Sequence, residues 1–201
     1  MGKIPVTIYA EMTPNPATMK FVADKYLLDP SSSAEFESQQ DTKGFSPMAD
    51  ELFNFPFVKS VFINSNFVSV TKSQALSWDF VTTELRDFIR NYISDGKEII
   101  TKIPTPKEAP EVEDKTIDTS NYSASEFDDK IVDLLEEYVK PAVAQDGGEI
   151  VFRNYNDGSV TVLLKGACSG CPASTQTLKG GIEQILKQYI PEVKEVIAEN
   201  G

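Results

Sequence analysis

Two cysteines and no histidine are all that this chain of 201 residues offers to soft-metal or thiol chemistry. Both cysteines stand in one short run, Gly166-Ala167-Cys168-Ser169-Gly170-Cys171-Pro172-Ala173-Ser174. Two intervening residues let the backbone turn so that both sulfurs aim at one metal. Gly166 and Gly170 permit turn conformations denied to residues with a side chain, and let the backbone come near a bulky ligand. Pro172 biases Cys171 away from helical geometry and keeps it in the loop. A helix starting at 172–174 would point free N–H groups at the sulfurs and favour thiolate over thiol. With no imidazole, a Ser-His-Asp or Cys-His mechanism cannot be assembled. The chain is therefore expected to bind and carry rather than catalyse.

Four uses of the pair compete. An inert, buried pair is the plainest, but it leaves the glycines, the proline and the helix start without a purpose. A thioredoxin-type redox pair also sits at a helix N-terminus. It follows a buried strand in a βαβ context, however, whereas this loop follows a hairpin and no parallel crossover is evident. A structural zinc site takes four protein ligands, and one chain supplies two sulfurs. An iron–sulfur cluster is typically held by four cysteines, so it too needs a second copy donating Cys168 and Cys171 across a two-fold axis. A cluster held by two thiolates per side is released when the dimer opens, which suits a carrier. A bridged zinc dimer satisfies the same count and stays open.

The elements around the loop divide the chain in two. Residues 104–124 hold prolines, acids and a Ser/Thr/Asp/Asn stretch with almost no large apolar side chains, the composition of a solvated linker. The expected fold is α+β: two small α+β domains at 1–103 and 125–201, joined by this acidic, proline-containing linker. In the first, strands are expected over Val6 to Ala10, Thr18 to Val22, Lys59 to Asn64 and Phe67 to Thr71, with turns at Thr13-Pro14-Asn15-Pro16 and Asn64-Ser65-Asn66. Ser46-Pro47 reads as a helix start. Trp78, Val81, Leu85, Phe88, Ile89 and Tyr92 lie on one helical face, and the helix stops near Gly96. In the second, Ser125 with Asp128 is a weak capping box before Phe127, Ile131, Leu134, Leu135 and Tyr138. Pro141 should interrupt that helix and Asp146-Gly147-Gly148 should end it. Glu149 to Tyr155 and Ser159 to Lys165 form a hairpin over Asn156-Asp157-Gly158. A helix bearing Leu178, Ile182, Ile185, Leu186 and Tyr189 follows the loop, and Val193 to Ile197 adds a last strand.

Pro141, Asp146-Gly147-Gly148, Gly166-Ala167-Cys168, Cys171-Pro172, Thr177-Leu178-Lys179, Gly181-Ile182-Glu183 and Leu186 together resemble the C-terminal domain of the NifU-like (Nfu) family of iron–sulfur scaffold and carrier proteins. Thr13-Pro14-Asn15-Pro16 with Lys20-Phe21, Ser46-Pro47 with Leu52-Phe53, and Val61-Phe62 with Val68-Ser69-Val70-Thr71-Lys72 resemble that family's N-terminal domain. Asn64-Ser65-Asn66 departs from the glycine and acid that relatives often carry at that turn. The resemblance implies a [4Fe–4S] cluster bridging two subunits and delivered to apo-proteins, with Cys168 and Cys171 as ligands and [2Fe–2S] or zinc ranked behind. It also implies a homodimer on cluster binding, and as partners apo iron–sulfur clients and cluster-assembly proteins.

Net charge is −12, from 31 acids against 19 bases, and no Lys/Arg stripe interrupts it, so nucleic acid is not an expected partner. No apolar run approaches the ~20 residues of a membrane span. The N-terminus lacks the features of a secretion or transit signal, and a bacterial cytoplasm is the expected compartment, ahead of the mitochondrial matrix. Of the remaining features, Asp146-Gly147-Gly148 is read as a helix-ending turn before an interface element, and Thr13 to Pro16 as a rigid turn before a docking one. Lys165 and Lys179 are expected to be solvated. Gly180 and Gly181, each costly inside a helix, point to close packing. The first domain, free of cysteine and histidine, is expected to be an interaction or regulatory module that captures clients on its tether.

Overall fold

The computed structural model describes residues 3–73, 76–104, 127–169 and 172–200. Residues 105–124 of the expected linker, Ser125, Gly170 and Cys171 lie outside them. The described chain forms two α+β units, each around its own apolar core.

The first unit contains β1 (Ile8–Met12), β2 (Thr18–Ala23), β3 (Ser33–Phe36), α1 (Pro47–Leu52), β4 (Val58–Asn64), β5 (Phe67–Lys72) and α2 (Trp78–Ser94). Its strands pair antiparallel in the order β1-β2-β5-β4-β3. Local chemistry sets the element ends. Ser46 Oγ accepts from Ala49 N–H at 3.0 Å and donates to the Ile99 carbonyl at 2.7 Å, capping α1 and tying it to a distant loop. Ser65, at φ 38°, makes the tight turn between β4 and β5. Gly96, at φ 69°, ends α2. Val81, Leu85, Ile89 and Tyr92 of α2 are buried on the sheet, with Trp78 and Phe88 at the margin of that core. β1 starts two residues later than the apolar pattern suggests.

Strand β3 is not among the expected strands. It forms because Ala34 and Phe36 drop into the core opposite Ile63 and Val61, a tertiary gain that local propensity does not carry. Successive strand residues face opposite sides of a sheet, and an antiparallel sheet commonly leaves one side to water. Here both sides are covered. Phe21, Val61, Ile63, Val68 and Val70 belong to the core under the helices, yet their neighbours Lys20, Phe62, Asn64, Phe67 and Ser69 are buried too.

The second unit contains α3 (Asp128–Leu134), a π-helical turn (Leu135–Val139), α4 (Lys140–Gln145), β6 (Gly148–Asn156), β7 (Ser159–Gly166), α5 (Pro172–Tyr189) and β8 (Glu195–Asn200). Pro141 does not break the helix. The turn before it is widened, with the Lys140 N–H reaching back to the Leu135 carbonyl, which makes room for a ring that carries no donor. Asp157 and Gly158, at φ 49° and 94°, close the β6–β7 hairpin as its composition required. β8 then lies parallel to β7, so the sheet order is β6-β7-β8 and α5 is a crossover. The expectation that no parallel crossover exists is therefore wrong. The short run at Val193 to Ile197 concealed it, because a strand's direction is set by what it packs against. Ile150, Val160, Val162, Leu164 and Val196 pack beneath Ile131, Leu135, Val139, Ile182 and Leu186.

Candidate metal centre

The cysteine loop leaves β7 through Gly166, at φ 68°, which is wedged so tightly that a Cβ there would lie 2.7 Å from both the Gly147 oxygen and Phe62 Cδ1. Ser169 folds back on it, its N–H and Oγ both donating to the Gly166 carbonyl at 3.1 and 2.8 Å. Thr175 Oγ1, in the first turns of α5, donates to the Cys168 carbonyl at 3.2 Å. Cys168 thus sits where strand passes to helix, with its sulfur inward. It is 6% exposed and belongs to the core of the second unit. Gly148 makes that possible, since a Cβ at 148 would lie 2.8 Å from Sγ and 2.6 Å from the Lys165 carbonyl.

That placement reverses one expectation. Burial, followed by the nearby Asp146 charge, pushes the Cys168 thiol up to about 12. The α5 N-terminus does not make it a thiolate. In this arrangement Cys168 is a protonated, buried sulfur, and Cys171, the other expected ligand, lies outside the described residues. Among the described residues, no group of three or more Asp, Glu, His or Cys is placed to hold a metal. The donor set fits a soft metal only when the loop is free to present its sulfurs.

The first unit packs against the residues that lead into the loop. Asn15 Nδ2 donates to the Ala167 carbonyl at 3.3 Å, and Ser69 Oγ to the Gly147 carbonyl at 2.7 Å. The Gly166 N–H donates to Glu35 Oε1 at 2.9 Å, and Lys20 Nζ to the Gln145 carbonyl at 3.2 Å. Ser33 hydrogen-bonds Glu149, and Lys165 lies 3.7 Å from Glu149 and 3.4 Å from Ser33 Oγ. Glu35, partly buried among these groups, is pushed up to about 7, chiefly by desolvation and against the pull of the Gly166 N–H and Lys165.

Four secondary expectations meet the structure here. Thr13 to Pro16 forms a turn whose Asn15 reaches the second unit of the same chain at the Ala167 carbonyl. Gly147, at φ 81°, ends α4 and is also an interface element, accepting from Ser69 and from the Ala167 N–H. Lys165 is not solvated, its side chain being 16% exposed in the ion pair. Gly180 and Gly181 face open space, so among the described residues no packing explains them. None of Asn15, Lys20, Glu35 and Ser69 was expected as a site residue, although Asn15, Lys20 and Ser69 lie in the runs that carry the N-terminal resemblance. One signal pointed to their face: the unbroken apolar run Val61-Phe62-Ile63 in a strand expected to alternate.

A five-stranded antiparallel α+β unit joined to a smaller one, whose cysteine loop bridges a β-hairpin and a long helix, defines a two-domain paired-cysteine class. Family models refine this. The model described as "Scaffold protein Nfu/NifU N terminal" matches residues 8–96, and "NifU-like domain" matches residues 131–197. The chain belongs to the Nfu/NifU family. It is 34% identical to the "NFU1 iron-sulfur cluster scaffold homolog, mitochondrial" of Homo sapiens, over 94% of this chain and 70% of that protein. It is 33% identical to the protein of the same name from Drosophila willistoni, over 98% of this chain and 64% of that protein. With "NifU-like protein 4, mitochondrial" of Arabidopsis thaliana the identity is 36%, over 94% and 64%. The chain thus spans 64 to 70% of the length of these relatives.

These names overturn the expected bacterial cytoplasm, since the matched relatives are mitochondrial. That expectation rested on the pattern of the N-terminal residues, and bacterial cytoplasm and mitochondrial matrix ask the same of a folded acidic domain. Among the described residues no helix is long and apolar enough to cross a membrane.

Proposed function

We propose that this chain is an iron–sulfur cluster scaffold and carrier, not an enzyme. In this reading Cys168 and Cys171 from each of two copies hold one [4Fe–4S] cluster, which is then passed to apo-proteins. The observation that carries it is the cysteine loop itself: two thiols and no histidine in the whole chain, in a family whose relatives are named iron–sulfur scaffolds. Half a coordination sphere per chain makes the cluster cargo, because opening the dimer halves its ligands. The residues around the loop then have defined tasks. Gly148 lets backbone approach the sulfur, Gly166 lets the chain leave β7 tightly against Gly147, and Thr175 and Ser169 hold the turn.

Anaerobic reconstitution with iron and sulfide tests this. The expected product is a brown dimer with about one four-iron cluster per two chains. Cys168→Ala and Cys171→Ala should each abolish it. A colourless monomer from the unaltered chain, or colour retained in the variants, sinks the reading; stoichiometric zinc in anaerobically purified protein would favour a structural zinc dimer instead.

One observation favours a thiol–disulfide role: the β7–α5–β8 crossover puts the pair in a βαβ setting after all. Against it stands the Cys168 thiol, pushed up where a redox pair needs a thiolate. Catalytic turnover in an insulin-reduction assay would reverse that ranking.

A further inference from the structure

If two chains share a cluster, Cys168 must meet a second copy, and in this structure its own N-terminal unit is docked on the residues that lead into Cys168. Four side chains from one face of that unit's sheet and its first turn, Asn15, Lys20, Glu35 and Ser69, each hydrogen-bond a main-chain group between Gln145 and Ala167. The partners are the Gln145, Gly147 and Ala167 carbonyls and the Gly166 N–H, so the loop and the turn packed against it are gripped on both sides. Phe62 seals the contact against Gly166, and Lys20 lies 4.9 Å above the Phe67 ring, filling the same face.

The composition of this contact says how it behaves. Besides Phe62 and the Thr13 methyl and Lys20 stem beside Gly147, the contacts between the units are polar: hydrogen bonds to backbone, and Ser33 bonded to Glu149 and Lys165. A hydrogen bond exchanged for one to water nets only ~1 kcal/mol. Polar interfaces between domains of one chain open and close readily, unlike large apolar ones. The face itself also survives separation, since the sheet's own core lies entirely on the other side, under α1 and α2.

We propose that the N-terminal unit is a self-docking cap: its sheet face closes over the cysteine loop of the cluster-free chain and must swing away before a second copy can complete the site. This rests on the scaffold reading and adds its regulation. Closed, the cap helps keep the Cys168 thiol from stray metals and oxidants.

Two measurements on the full-length, cluster-free chain test it. In a Cys171→Ala background, where Cys168 is the only thiol, alkylation by iodoacetamide should be slow. Ser69→Glu sets a carboxylate against the Gly147 carbonyl and should speed alkylation at least tenfold, with circular dichroism unchanged. Glu84→Lys, on the exposed side of α2, should leave the rate alone. Equal rates in folded Ser69→Glu and its parent overturn the cap. Should Ser69→Glu fail to fold, hydrogen exchange on the unaltered chain decides. The Gly166 amide has Glu35 of the other unit as its acceptor, so it should exchange at least tenfold more slowly than an open loop amide, and fast exchange overturns the cap. Reconstitution keeps the two ideas apart. Gated thiol reactivity in a chain that never binds a cluster retains the cap and removes the scaffold reading; normal cluster binding with ungated thiols does the reverse.

Discussion

Replacing Glu35 by Gln keeps an oxygen for the Gly166 N–H and deletes a carboxylate that burial pushes up to about 7. The groups facing it are Lys165, which with the Gly166 N–H lowers it, and Glu37 and Glu149, which raise it further. Once the chain unfolds, the carboxyl returns to its ordinary range, near 4.5. An acid whose folded value is raised takes up protons on folding. Its contribution is therefore most favourable below the unfolded value, declines as pH rises toward about 7, and is a full penalty above that. Two to three units at ~1.36 kcal/mol each set a ceiling of ~3 kcal/mol, and contact with solvent reduces the expected penalty to ~1–2 kcal/mol. Glu35→Gln should therefore be ~1–2 kcal/mol more stable than the parent at pH 8.5 and nearly equal to it at pH 4. Urea denaturation of both chains across that range, with the difference plotted against pH, isolates this one group. A difference that does not change with pH, or a variant less stable at pH 8.5, refutes the reasoning.

Gly148→Ala drives a methyl group into the Lys165 carbonyl and Cys168 Sγ, neither of which can yield without moving β7, so a loss of ~2–3 kcal/mol in urea unfolding is expected. Ser46→Ala removes both the cap on Ala49 N–H and the bond to Ile99, and should cost ~1–2 kcal/mol, read as a lower thermal midpoint.

The elements with strong local signals were legible. Ser46-Pro47, the α2 stripe and the Asp157-Gly158 hairpin each carry capping, periodicity or turn chemistry within a few residues, and the structure forms them there. What failed depended on partners far along the chain. β3 exists because Phe36 finds Val61, β8 runs parallel because α5 returns it to β7, and Pro141 is absorbed because the turn before it widens. None of these leaves a pattern within its own segment.

The candidate site divides in the same way. Cysteine spacing and glycine placement, which specify the loop, are short-range features. The protonation of Cys168 is not, because it depends on how much of the second unit's core and of the first unit closes around the sulfur. The helix-terminus argument considered one favourable term, worth ~0.3–1 kcal/mol where exposed. Desolvation of a buried anion is a larger and opposite term. A CxxC at a helix start thus predicts a thiolate only if the sulfur stays in water or meets a cation or metal. Here the neighbouring charge is Asp146, of the wrong sign, and the sulfur is buried. A protonated thiol held in the second unit's core is slow to oxidise, because the thiolate is the reactive form and the core withholds it from solvent.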